Sequence, residues 1–268
     1  MANTTSDKWK GVTGGGNFGQ RALIFIFRHC NVRVGYAMMY FAMPFYLIFA
    51  GKARRASMHY FRWVYGYGFW KSLWYCWLSY VNFGKVILDR FAVFAGQKDR
   101  FKVEEDRMDL FKDLVAQPGG FMMVGSHTGN YEICGYLLRQ DSKKIYTLVF
   151  GGEGEALQNG GIVSMPADRL LGSSKSITCK FGQAVADFPV GPFSVAAIRR
   201  VPVLAVFVFR KATYRYKVIV RRIDADENIR QSKARAEAMA KEYVDLLYQQ
   251  VSENQCQWFN FFEFFRKE

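Results

Sequence analysis

Histidine occurs three times in this sequence, at His29, His59 and His127. Imidazole is the side chain whose ordinary pKa lets it take and return a proton near neutral pH. Of the three, His127 has an acid close behind it, Glu132, in the stretch FMMVGSHTGNYE from Phe121 to Glu132. A histidine whose second ring nitrogen is held by a carboxylate is a general base: it removes a proton from a hydroxyl, an amine or water while the acid fixes the tautomer. His29 and His59 lie among aromatic residues and arginines with no acid nearby in sequence, and read as structural or interfacial.

The pair is usable only in one geometry. Five residues inside one regular helix turn by about 140°, which points the two side chains apart. His127 must therefore lie in a turn, with Glu132 in the first turns of the helix that follows. The sequence supplies this: an apolar run from Phe121 to Val124, a polar turn through Gly125, Ser126, His127, Thr128 and Gly129, then a helical segment from Asn130 to Arg139. Gly129 permits the turn. The positive end of the helix disfavours imidazolium and keeps the ring a base. A strand, turn and helix in this order put the dyad at a strand edge, where open α/β sheets keep their ligands.

The elements needed to build that edge follow in order. Arg100 to Gln117 reads as an amphipathic helix, stopped by Pro118, Gly119 and Gly120. After the histidine turn, strands are predicted at Ile145–Phe150, Ile162–Pro166 and Ser176–Phe181, with Gly151–Gly161 a connector. A short helix is predicted over Phe193–Arg200, with Pro192 at its start. Strands then follow at Val203–Arg210 and Tyr214–Arg222, a long helix at Ser232–Ser252, and the aromatic tail QWFNFFEFF. Alternating helices and strands after residue 120 imply an α/β layer.

The first third differs. Met1 to Gln20 reads as a flexible lead, and no apolar core of a secretion signal is visible in it. Its Gly14, Gly16 and Gly19 match a dinucleotide fingerprint, but no strand precedes them, so no nucleotide site is read there. Ala22–Phe27 opens a helix. Val34 to Gly51 is uncharged, interrupted by Pro44 and flanked by Arg33, Lys52, Arg54 and Arg55. It reads either as a buried core helix or as a membrane anchor or re-entrant hairpin, and the basic flanks favour membrane contact. In Tyr60–Phe83 the spacing of Trp63, Trp70, Trp74 and Trp77 predicts one helical face, a core face or an interfacial one. The organisation expected is a lead (1–20), a membrane-associated helical region (21–95) and an α/β core with C-terminal helix and aromatic tail (96–268).

With 268 residues, half of them hydrophobic, the chain can bury a substantial core; 17% aromatics and a net charge of +14 favour anionic lipid or an acidic protein partner. The basic residues are spread along the chain and match no nucleic-acid motif, so no nucleic-acid partner is expected. Cys30, Cys76, Cys134, Cys179 and Cys256 are isolated and odd in number, which fits a reducing compartment and no zinc ribbon.

SHTGNYE resembles the H-x4-D/E motif of glycerolipid and lipid A acyltransferases, and more narrowly the S-H-x-G-N-W/Y-E form of the bacterial lipid A late acyltransferases, the lauroyl and myristoyl transferases. GGIVSMPADR is similar to the family's later strand and Asp-Arg turn, FPVGPFSVAAIRRVPVLAVF to its G-P-x-x-x-A helix and next strand, and QWFNFFEFF to its tail around a Gln-Trp pair. The connector Gly151–Gly161 is shorter than the family's. The resemblance implies a glycerolipid-acyltransferase-like fold, a mixed central sheet flanked by helices behind an N-terminal hydrophobic membrane-associating segment. It implies fatty acyl transfer from acyl carrier protein, or coenzyme A, to a hydroxyl or amine of a lipid at the cytoplasmic face of the bacterial inner membrane.

On that basis His127 is the base and Glu132 its partner, with no covalent acyl-enzyme, no metal and no cofactor beyond the acyl thioester. The chain has no G-x-S-x-G elbow and its cysteines have no local base. Ser126, Asn130 and Arg169 are the candidate substrate contacts. Asn130 either positions the thioester or holds the turn and helix start. Arg169 either stabilises an oxyanion or binds phosphate, or pairs with Asp168 or another acid. Two other functions use the same features: a thioesterase or lipid hydrolase on the dyad, and a lipid-binding protein without catalysis.

Overall fold

The computed structural model describes residues 31–131, 143–147, 152–170, 175–224 and 228–267. The lead, the Ala22–Phe27 segment, the glycine fingerprint, His29 and Glu132 fall outside the described residues.

The order of elements is α1 (Val32–Phe49), α2 (Gly51–His59), a π-helical turn (Tyr60–Val64), α3 (Phe69–Ala92), β1 (Lys102–Asp106), α4 (Asp109–Ala116), β2 (Phe121–Gly125), β3 (Ile145–Thr147), α5 (Glu153–Gln158), β4 (Ile162–Pro166), β5 (Ser176–Phe181), β6 (Ala184–Pro189), α6 (Gly191–Arg199), β7 (Val203–Ala212), β8 (Arg215–Ile223), α7 (Ser232–Glu253) and β9 (Phe265–Lys267). Six strands make the central sheet in the order β1-β8-β7-β2-β4-β3, and β5, β6 and β9 make a second, antiparallel sheet. The central sheet is mixed: β7, β2, β4 and β3 run parallel, and β8 turns back antiparallel to β7.

Alternation along the strands gives the sheet two buried faces. Met122 and Val124 of β2 join Ala205 and Phe207 of β7 and Tyr243 and Leu247 of α7 in one core. Phe121 and Met123 join Leu204 and Val206, under Phe111 and Leu114 of α4, in the other. The first core also takes in Tyr60, Phe61, Val64, Cys76 and Tyr80, so the helical region and the α/β layer share one interior across residue 95.

Several local expectations are corrected. Arg100–Gln117 is not one helix: Lys102–Asp106 pairs as an edge strand with β8, and Arg107 at φ 58° breaks the chain before α4. Trp63 does not share a helix with Trp70, Trp74 and Trp77, because the chain leaves the helical path at residues 65–68, with Gly66 at φ 68°. The connector at 151–161 contains the helix α5. The strands β6 and β9 were not anticipated; β9 comes from the tail, whose aromatic residues hid its pairing with Ala184–Ala186. The expected strands at Ile162–Pro166 and Ser176–Phe181 occur with those bounds, and β7, β8, α6 and α7 lie within two residues of expectation.

Candidate active site

β2 and β4 are parallel neighbours with Gly125 opposite Pro166. The residues two steps beyond those ends, His127 and Asp168, therefore leave the sheet side by side. Asp168 is fully buried. Its Oδ1 lies 2.8 Å from His127 Nδ1, and its Oδ2 accepts from the His127 backbone N–H at 2.8 Å and from Trp258 Nε1 at 2.9 Å. Burial alone would raise the pKa of Asp168, but the hydrogen bond and charge of His127, its backbone N–H and the Trp258 indole together hold it below the ordinary carboxylate value. An ionised Asp168 accepts the proton on Nδ1, which leaves Nε2 at the far side of the ring as the basic atom.

His127 precedes the helical residue Tyr131 and lies in the turn, as the sequence required. Three supports fix the turn. Gly129 adopts φ +47° and lies against β7, where a Cβ would drive into the carbonyl oxygen of Val208. Tyr243 of α7 donates its hydroxyl to the Gly125 carbonyl at 2.7 Å. The tail straps the outside: Gly129 N–H donates to the Gln257 carbonyl at 2.7 Å, Phe259 N–H donates to the His127 carbonyl at 2.9 Å, and Thr128 bridges Trp258. Gln257 is itself clamped, its side chain accepting from Arg210 N–H at 2.8 Å and donating to the Arg210 carbonyl at 2.9 Å.

A cavity of about 560 Å³ opens at His127. Phe83, Val86, Ile87 and Arg90 of α3 form one wall, and Phe259, Phe261 and Phe262 of the tail another. Arg169 reaches into it. Its Nη2 donates to the Phe259 carbonyl at 2.7 Å, the guanidinium stands 5.3 Å from the Phe262 ring centre, and Nε finds no partner among the described residues. Burial draws the Arg169 pKa down, while the Asp168 charge opposes that. No ion pair forms between Arg169 and Asp168; the acid is committed to the histidine.

The remaining site residues separate into two kinds. Asn130 is buried, lines the cavity, and its Nδ2 donates to the Val86 carbonyl at 3.3 Å and to Tyr216 Oη at 3.4 Å, so it ties the turn to α3 and β8. Ser126 is buried inside the turn with Oγ 2.9 Å from Thr128 Oγ1 and is not among the residues lining the cavity. His59 is stacked on Trp63 at 3.9 Å and bonded through Nδ1 to Glu263 at 2.7 Å, so the tail supplies the acid that the neighbouring sequence lacks.

Two residues of the candidate site are not reached by the sequence reading. Asp168 was placed beside Arg169 and not beside His127, and Trp258 was known only as part of a motif. The signal was the matched endings of two apolar runs, FMMVG before Ser126-His127 and IVSMP before Ala167-Asp168. Parallel pairing without offset brings residues at equal distance past those runs together. Among the described residues no group of three His, Cys, Asp or Glu side chains could hold a metal ion. No serine or cysteine is among the described residues lining the cavity. No protein-family model and no curated protein matches this chain.

Proposed function

We propose that this protein is an acyltransferase that moves a fatty acyl group from a carrier-bound thioester to a hydroxyl or amine of a lipid. The carrying observation is the His127 ring, fixed at Nδ1 by buried Asp168 and facing an aromatic-walled cavity that also receives Arg169. His127 Nε2 takes the proton of the acceptor as its oxygen or nitrogen attacks the thioester carbonyl carbon. Negative charge develops on the carbonyl oxygen, and the Arg169 guanidinium, which lines the cavity together with that of Arg90, is suited to meet it. Collapse breaks the C–S bond, and the leaving thiolate recovers the proton from Nε2. The products are an ester or amide and a thiol. Direct attack fits the cavity, which offers no described serine or cysteine as a covalent relay.

The aromatic walls suit an acyl chain. The donor is acyl carrier protein or coenzyme A, and the acceptor is a lipid A-like or other lipid. A charge of +14 suits both an acidic carrier protein and an anionic membrane. We place the enzyme at the cytoplasmic face of a bacterial inner membrane. α1 is long and apolar enough to cross a membrane by length and composition, which is consistent with membrane association.

The test is product analysis by mass spectrometry with acyl carrier protein thioester and a lipid extract as acceptor. Acylated lipid should form with the wild-type chain and vanish with His127→Ala. Release of free fatty acid at the same rate with and without acceptor would make the protein a thioesterase. Unchanged acyl transfer by His127→Ala would overturn the assignment of the base.

A further inference from the structure

We propose that α1 and the first half of α3 form a docking face that lies in the plane of an anionic lipid surface, half immersed and not spanning it. The inference deepens the membrane part of the preceding reading and does not depend on the chemistry at His127.

α1 presents an apolar stripe that no other described residue covers. Val34, Met38, Phe41, Phe45 and Ile48 recur at steps of four and three residues, one face of a helix, and are 53%, 62%, 77%, 65% and 63% exposed. Phe49 is exposed at the end of the same helix, and Trp70 and Trp74 of α3 are exposed as well. Trp74 and Tyr40 both contact the Trp77 ring, so the aromatic surface passes from one helix to the other. Such a continuous exposed face is unusual for a protein surrounded by water alone.

The opposite side of α1 is bound to the protein body. Met39 and Met43 lie on Gly84 of α3, where an added Cβ would stand 2.7 Å from Met39 Sδ. Tyr46 packs on Tyr80, Lys85 Nζ donates to Tyr40 Oη at 2.6 Å, and the Tyr36 hydroxyl donates to buried Asp89. These contacts run antiparallel along most of α1. They decide between the two ways of meeting a membrane. An upright α1 would take α3 with it, and α3 carries Lys71, Lys85, Asp89 and Arg90. Charged side chains in hydrocarbon are expensive. The far face of α3 also walls the His127 cavity, so that cavity and the tail would follow into the lipid. At 18 residues, α1 is about 27 Å long, close to a hydrocarbon core of about 30 Å, so length permits either orientation and the charges on α3 decide. Lying flat, it immerses the stripe and keeps every one of these groups out of the hydrocarbon.

Charge selects lipid over a second copy of the chain. Arg33 precedes the stripe, Lys52 and Arg55 follow it, and Lys71 stands between Trp70 and Trp74; all four are exposed. A two-fold pairing of this face would set these cations against their own copies. Anionic headgroups attract them, and tryptophan rings favour the headgroup level. In this orientation the second half of α3, from Phe83 to Arg90, is the partition between lipid and the His127 cavity, about one helix diameter (~10 Å) thick.

The test is flotation of the whole chain with vesicles of phosphatidylglycerol and phosphatidylcholine, compared with phosphatidylcholine alone. Binding should favour the anionic vesicles and weaken with salt. Phe41→Asp with Phe45→Asp should lower partitioning by roughly ten-fold or more at an unchanged melting temperature, since both side chains are exposed. Tryptophan fluorescence should be quenched more by lipids brominated near the carbonyls than by lipids brominated near the bilayer centre. Flotation of the double variant equal to wild type overturns the surface, and stronger quenching from the bilayer centre overturns the in-plane orientation. Absence of flotation with a dimer that the double variant dissociates assigns the stripe to chain–chain contact and overturns the lipid. His127→Ala should float as wild type, so a failure of the acyl-transfer reading and a failure of docking read out separately.

Discussion

Asp168 and Asp89 are both carboxylates with no exposed surface, yet their surroundings push them in opposite directions. Asp168 sits below the ordinary carboxylate value despite its burial, because the His127 ring, the His127 backbone N–H and the Trp258 indole all turn towards it. Asp89 receives Tyr216 and Tyr36 hydroxyls and Arg210 Nε at 3.2 Å, but burial outweighs them and its pKa is raised. The donors of Asp168 converge on one ring that faces a cavity. Those of Asp89 come from α1, β7 and β8 and bind those elements to α3. Burial alone therefore does not mark a candidate site; what marks it is where the donors lead.

The sharpest way to break the comparison is to neutralise each acid in turn. Asp168→Asn should lower kcat by about 10³–10⁴, the scale seen when the acid behind a catalytic histidine is neutralised and the wrong tautomer results. KM should hardly move, because the side chain does not line the cavity. Glu132→Ala in the same assay reports how much the acid in the sequence motif adds to the acid that the fold brings. Asp89→Ala should instead cost stability, about 3–5 kcal/mol by urea denaturation, because Arg210 is left as a buried charge without its carboxylate. Its folded fraction should keep most of the kcat. An Asp89→Ala protein that folds normally but has lost as much kcat as Asp168→Asn would erase the distinction.

Gly129 is a smaller test on the His127 side. Its φ of +47° costs a side-chain-bearing residue about 1–2 kcal/mol, and the Val208 carbonyl blocks the space for a Cβ. Gly129→Ala should shift the turn away from β7 and lower kcat by roughly ten-fold or more, with a fall in melting temperature. An alanine variant with wild-type kcat would mean that the turn needs no such support. Asn130→Asp, at the join between the turn and the Asp89 cluster, places a second carboxylate by Tyr216 and Asp89 and should destabilise in the same assay.

How far the sequence led can be judged on these same residues. His127 was legible because a strand, a polar turn with glycine and a helix follow one another locally, and local patterns are what a sequence displays. Most strands and helices of the α/β layer were legible for the same reason. Asp168 was not, because its partner is 41 residues away, and the register of two parallel strands decides the meeting. Trp258 and Gln257 were quoted for their type, but their work as a strap over the turn depends on a tail that returns to the sheet edge. Asp89 stands beside Arg90 and four residues after Lys85 on one helix, so the sequence offers it only local cations. Its partners come from residues 36, 210 and 216. The failures at Arg100–Gln117 and at Trp63 have a backbone cause: Arg107 and Gly66 adopt positive φ and cut periodic patterns that continue on either side.

The two acids also separate along the pH axis, with the smallest effect and opposite signs. The folded pKa of Asp168 lies below its unfolded value of about 3.9. Its contribution is therefore complete above that pH and is lost as the pH falls through the folded value. The folded pKa of Asp89 lies above its unfolded value, so the native state takes up a proton first. Asp89 thus makes the protein more stable as the pH falls from its folded value towards about 4, and costs stability while ionised. Urea denaturation across acidic pH should show stability dropping below about pH 4 in the wild type, and a shallower drop in Asp168→Asn. Removing the other acid together with its cation, as Asp89→Asn with Arg210→Gln, should leave the drop in place and remove the gain that precedes it. Profiles that change in the same sense for both variants would mean that the two buried carboxylates differ less than their donors imply.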